Sequence, residues 1–196
     1  MCLDNIPARG VELIMKKQFL TTPIRRLDGI TYWVIEDPDG IYDFINTEIR
    51  KEWEADARSE GRDPRKDKWL RTLSQSKWSL EILETERIKL NPNIMNYVNT
   101  ETGYNFAERL AKRSKELQDE IETYSLVIWP VIVRKEKWVL ADGYCRYTAL
   151  RALNVRKIYA YVGTPEQKST KTLKKSSSSS SVERPERKEL PLPTHQ

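Results

Sequence analysis

The chain has 196 residues with 38% hydrophobic and 32% charged side chains, enough to bury the core of one ordinary domain with appendages. Its longest apolar run, Leu126 to Val133, is eight residues with a proline inside, too short to span a bilayer, and the first ten residues lack the charged-then-apolar order of a secretory signal. Net charge is +5, but residues 164–196 carry +3 of it and the preceding 163 residues hold 27 basic against 25 acidic side chains, without the concentrated basic face of a typical DNA-binding domain.

Two cysteines far apart, Cys2 and Cys145, give neither a disulfide framework nor zinc spacing, which points to a reducing, cytoplasmic setting. The single histidine is His195. Up to residue 194, therefore, Ser-His-Asp or Cys-His chemistry and any histidine-ligated metal are excluded. Acid–base work falls to carboxylates, tyrosines or Cys145.

In chain order, residues 1–27 are sparsely patterned, with Met15 to Leu20 as a short candidate strand. Ile30 to Ile35 is β-branched and aromatic and stops at the turn Asp37-Pro38-Asp39-Gly40, so it reads as a strand. Ile41 to Glu60 reads as a helix: Ile41, Phe44 or Ile45, Ile49 and Trp53 recur every three or four residues. After the break at residues 61–67, Trp69, Leu70 and Leu73 suggest a short second helix ending near Ser76. Trp33, Trp53, Trp69 and Trp78 could be imagined as a base-stacking platform, but such aromatics more often fill a core.

Ser79 to Leu90 reads as a strand ended by Asn91-Pro92, residues 96–103 as polar turns, and Tyr104 to Tyr124 as the clearest helix, with Phe106, Leu110, Leu117 and Ile121 along one side. Leu126 to Val133 and Trp138 to Leu140 form two adjacent strands. The period then changes: Tyr147, Leu150 and Leu153 recur at helical spacing, and Lys157 to Val162 returns as a strand. From Thr164 the Lys/Ser/Pro-rich sequence, including six consecutive serines, reads as a disordered tail.

The joint between strand and helix is Asp142-Gly143. Asp142 is a candidate helix cap, and Gly143 permits a sharp turn and close approach of a ligand. Arg146 falls in the first helical turn, where bare N–H groups already carry partial positive charge. An anion held by those groups and the guanidinium would offset that repulsion, and phosphate is the usual such anion. The plainer alternative is that Arg146 pairs with Asp142 or points into water.

The run Asp142-Gly143-Tyr144-Cys145-Arg146-Tyr147-Thr148-Ala149-Leu150 resembles the Asp-Gly-His-His-Arg-Tyr-x-Ala-Leu signature of the ParB/sulfiredoxin superfamily. Trp129 to Val133 resembles its Pro-Ile-x-Val strand, Leu153 to Gly163 its exit strand, and Leu80 to Pro92, more loosely, its opening strand. The resemblance implies an α+β fold over 78–163, a small mixed β-sheet with packed helices; residues 1–77 read as a strand and helical extension that resembles no family, and 164–196 as the tail. It also implies a phosphate site at Asp142, Gly143, Tyr144, Cys145 and Arg146, with ATP or CTP and Mg²⁺ as ligand and slow NTP hydrolysis as a possible activity.

The alternatives carried by the same resemblance are a DNA-binding or nuclease-like protein, a phosphotransferase akin to the free-serine kinases, and a degenerate relative that binds nothing. Both histidines of the signature are replaced, by Tyr144 and Cys145. The reactive cysteine of sulfiredoxins aligns with Tyr144, which argues against sulfinic acid reduction. Cys145, beside a helix start and Arg146, is a candidate reactive thiol, with a buried inert thiol as the default. Glu101 is the nearest acid to the place where the kinases carry theirs.

Overall fold

The computed structural model describes residues 22–59, 63–66, 68–101 and 103–165. The candidate strand Met15 to Leu20, the tail from residue 166 onward and His195 lie outside them.

A β-hairpin comes first. Strands β1 (Ile24–Leu27) and β2 (Ile30–Trp33) pair antiparallel across Asp28-Gly29. Both turn residues have positive φ, 49° and 85°, the conformation that a two-residue hairpin turn needs to match the twist of its strands. Helix α1 (Pro38–Phe44) follows, with Pro38 in its first turn and the Asp37 carboxylate accepting from the Gly40 N–H at 2.8 Å. It runs through a π turn, Ile45–Ile49, into α2 (Arg50–Ser59). A short helix, α3 (Lys68–Leu73), leads to β3 (Ser76–Glu84).

Beyond β3 come a 3-10 turn (Thr85–Arg87), the short helix α4 (Pro92–Met95) and a two-residue hairpin, β4 (Val98–Asn99) with β5 (Tyr104–Asn105). Helix α5 (Phe106–Tyr124) starts where the Asn105 side chain accepts the Ala107 N–H, and ends at Ser125 in the left-handed region. The apolar run after it does not form one strand. Trp129-Pro130 divides it into β6 (Val127–Ile128), parallel to β2, and β7 (Val131–Arg134), in a separate sheet. Proline lacks the N–H that a ladder requires, so the chain changes sheets there.

A four-stranded mixed sheet, ordered β3-β9-β7-β8, is the centre of the fold. β8 (Val139–Asp142) pairs antiparallel with β7, helix α6 (Tyr144–Ala152) follows it, and β9 (Lys157–Pro165) returns parallel to β7 and antiparallel to β3. β9 extends to Pro165, past the Thr164 expected to open the tail, and β3 stops at Glu84, short of the expected Leu90.

Alternation along the strands supplies two cores, one on each face of this sheet. Val131, Val133, Leu140, Ile158, Ala160 and Val162 face α5 and α6, against Phe106, Leu110, Tyr144, Tyr147 and Leu150. Ile132, Tyr161 and Trp78 face the N-terminal helices, against Ile41, Phe44, Ile45, Ile49, Trp53, Leu70 and Leu73. The periodic positions expected of the first helix are therefore its buried face. Trp53 and Trp78 are core residues and not a stacking platform. Trp78 lies across Gly163, its register partner, where a Cβ would meet the indole at 2.7 Å.

Candidate functional site

β8 delivers Asp142 to the end of the sheet, and Gly143 turns the chain into α6 with φ +82° and ψ 34°. The first helical bond runs from the Tyr147 N–H to the Gly143 carbonyl at 2.9 Å. Gly143 occupies the N-cap position itself and no side chain caps the helix start. The expectation that Asp142 caps it is therefore corrected: its carboxylate faces other donors.

Two donors among the described residues reach it. Arg146 Nη2 donates to Asp142 Oδ2 at 2.9 Å, in an ion pair with side-chain exposures of 9% and 3%. Trp53 Nε1, from α2, donates to Asp142 Oδ1 at 3.3 Å. The Arg146 guanidinium folds back over the turn, so that a Cβ at Gly143 would lie 2.9 Å from Nη2, 3.0 Å from Nε and 3.1 Å from Val131 Cγ1. Glycine is required here twice over, by φ and by the guanidinium. The expected juxtaposition of arginine with the turn is present, and it takes the form of the plainer alternative, pairing with Asp142. All five residues from Asp142 to Arg146 are buried.

Sequence reasoning missed Glu52. This α2 residue stands beside Asp142 and Arg146, and its carboxyl is pushed up to about 8. Burial is the main cause, Asp142 adds repulsion, Arg146 offsets part of it, and Asp56 and Glu48 contribute further repulsion. Glu48, Glu52 and Asp56 follow one another every four residues, so one acidic stripe of the helix was visible in the sequence. What faces that stripe was not. At neutral pH Glu52 holds a proton within the cluster, which is the property required of a general acid.

The remaining candidates take different roles. Tyr144 is fully buried; its hydroxyl donates to the Leu140 carbonyl at 3.1 Å, and burial raises it to about 12. Its ring meets Phe106 edge-on at 5.4 Å, so it acts as a packing residue. Cys145 is buried, 6% exposed. The other cysteine, Cys2, lies outside the described residues. Glu101 is exposed in the β4–β5 turn. Among the described residues no three His, Cys, Asp or Glu side chains stand together to hold a metal.

Part of the chain is similar to solved structures. A Pnob8-like ParB-N domain, in one crystal form, matches with TM-score 0.34 and 19% identity over 46% of this chain and 31% of that one. A second structure of the pNOB8-like ParB N-domain gives 0.32 and 15% over 46% and 29%. Sulfiredoxin from Arabidopsis thaliana gives 0.31 and 24% over 43% of this chain and 86% of that one. The likeness is to ParB N-domains and sulfiredoxin. It is one of fold alone, and the chain spans about a third of the length of the ParB-N chains it matches. No family model and no curated protein matches the sequence. No helix among the described residues is long and apolar enough to cross a membrane.

Proposed function

We propose that the turn from Asp142 to Arg146 is a nucleotide-phosphate seat, held closed by the chain's own carboxylates in the conformation described. The observation that carries this reading is the guanidinium of Arg146 folded over Gly143 at the start of α6. That arrangement puts a fixed cation next to the positive end of a helix, and Asp142 supplies the anion that the pair attracts. A phosphate oxygen would take over the Asp142 side of the pair. With the Arg146 charge already balanced by Asp142, an incoming triphosphate has to bring its own counter-ion, so an ATP- or CTP-like ligand arrives with Mg²⁺. No reaction step is assigned to that ion.

Burial of charged groups is costly, and a cluster of Asp142, Arg146 and Glu52 contributes less to stability than apolar side chains of similar volume. Perturbed, clustered ionisable groups of this kind concentrate at functional sites. A second reading follows from a specific observation: both oxygens of Asp142 already have donors and residues 142–146 are buried, as in a relative whose seat has closed permanently.

A thermal-shift panel of nucleoside triphosphates with Mg²⁺ separates the two, run on the native chain, Arg146→Ala and Arg146→Lys. Binding at a hundredfold excess over Kd stabilises by about 2.7 kcal/mol. The phosphate-seat reading expects a shift for at least one nucleotide that Arg146→Ala abolishes and Arg146→Lys partly retains. No shift with any nucleotide, or one that persists in Arg146→Ala, refutes it.

A further inference from the structure

The central sheet ends in β8 on one side and in β3 on the other, and the chain treats the two edges differently. Outside β8, the Lys89 N–H donates to the Trp138 carbonyl at 2.8 Å and the Leu140 N–H to the Lys89 carbonyl at 2.8 Å, so that edge is bridged by the chain's own backbone. The outer strand of the first hairpin, β1, is four residues long and carries Arg25 and Arg26. A cover, short length and cations are ordinary protections of a sheet edge.

β3 is protected far less. It is nine residues long, has no proline, and pairs with β9 in unbroken register from Ser76 to Glu84. Among the described residues β9 is its one strand neighbour, and no main-chain group from Ser79 to Glu84 bonds outside that ladder. An edge of this kind is a template for a further strand.

Its side chains point the same way. Alternation puts Trp78, Leu80 and Ile82 on the face that carries the N-terminal helices. Trp78 is buried there and Leu80 half-buried, whereas Ile82 lies beyond the cover with 52% of its surface exposed. On the opposite face Lys77, Ser79 and Glu81 are polar, and Ser79 Oγ donates to Glu81 Oε1 at 3.1 Å.

From this edge we infer that two copies of the chain dimerise by antiparallel pairing of β3 with β3, which joins their four-stranded sheets into one. A two-fold axis normal to the sheet keeps each face on its own side, so only residues of the same face stand opposite each other. With the axis at Leu80 the whole strand is used. Trp78 of each copy then stands opposite Ile82 of the other, Leu80 opposite Leu80, Ser79 opposite Glu81, and Ser76 opposite Glu84. Lys77 stands opposite Leu83 and diagonal to Glu81. Aromatic with β-branched and hydroxyl with carboxylate are favourable cross-strand pairs, and no like charges meet.

Neighbouring registers do worse. An axis at Glu81 sets two carboxylates against each other. An axis at Ser79 brings Lys77 to Glu81 but leaves Ile82 opposite Ser76 and drops Leu83 and Glu84 from the pairing. Because Lys89 bridges the far edge of each sheet, the assembly closes at two copies. The dimer uses no residue of the Asp142–Arg146 turn.

The test is sedimentation velocity of the full chain across roughly 1–300 µM, a range that reaches the weak, micromolar end of protein association. The native chain is expected to pass from one copy to two and no further. Ile82→Glu sets a carboxylate against Trp78 twice in the interface and is expected to weaken association at least about tenfold. Tyr124→Glu, at a residue 77% exposed outside β3, leaves it unchanged. Hydrogen exchange of the native chain needs no variant: Ser79–Glu84 should exchange about tenfold more slowly at the highest concentration than at the lowest, while Ile24–Leu27 stays the same. A single copy at every concentration, growth past two copies, or a dimer that Ile82→Glu leaves intact overturns the inference. So does exchange at Ser79–Glu84 that is equally slow at all concentrations, since the edge would then be covered within one chain.

Discussion

Replacing Glu52 with glutamine removes the cost of burying an ionisable carboxyl at the turn, to which repulsion from Asp142 adds. In the folded chain the Glu52 carboxyl is raised from 4.5 to about 8. A raised acid favours the folded state while it is protonated in both states, below pH 4.5. It loses that contribution as pH rises toward 8, because the unfolded chain ionises it first. Between pH 5 and pH 9 the loss has a ceiling of about 4 kcal/mol, from three pH units at 1.36 kcal/mol each. Glu52 is only partly buried, so solvent relaxes some of this, and an effect of about 2 kcal/mol is the working expectation. Glutamine keeps the shape and cannot ionise. Urea unfolding of the native chain and Glu52→Gln at pH 5, 7 and 9 should therefore show little difference at pH 5 and a growing advantage for the variant above it. Other titrating groups largely cancel in that comparison. A difference that stays within about 0.5 kcal/mol across the range, comparable to ordinary surface substitutions, refutes the burial of Glu52 at the turn.

Two further outcomes bear on the turn itself. Gly143→Ala places a methyl group against the Arg146 guanidinium at positive φ and should cost about 2–4 kcal/mol, whereas Gly29→Ala, at φ +85° with nothing within 4 Å, should cost only about 1 kcal/mol of backbone strain. Thermal melts of both variants check this, and equal losses would mean that the guanidinium does not lie over Gly143. Asp142→Ala leaves Arg146 buried without its partner and should cost about 3–5 kcal/mol, while Asp142→Ala with Arg146→Met should recover a large part of it. A double-mutant cycle in urea measures the coupling.

Much of the fold was legible in the residues. Ile41, Ile45, Ile49 and Trp53 announced a helix with one buried face, and that face is what packs on Tyr161 and Ile132. The change of period at Gly143 located the passage from β8 into α6. The first hairpin was missed although Asp28-Gly29, followed by an evident strand, is a strong turn signal; Ile24-Arg25-Arg26-Leu27 has too little apolar character to read as a strand alone. The division of Leu126 to Val133 between two sheets was also missed. An unbroken apolar run says that both faces are buried and not which strands will flank it, although Pro130 marks the break.

Sequence alone determined that an arginine three residues after a left-handed glycine stands at the start of a helix, because both follow from local backbone geometry. Only the tertiary structure decided where its charge goes. Whether Arg146 meets solvent, a ligand or Asp142 depends on what α2 lays over the turn, and Trp53 and Glu52 arrive from some ninety residues away in the chain. Local propensity is written in adjacent residues, but charges act through space, so their partners are fixed only once the chain has packed.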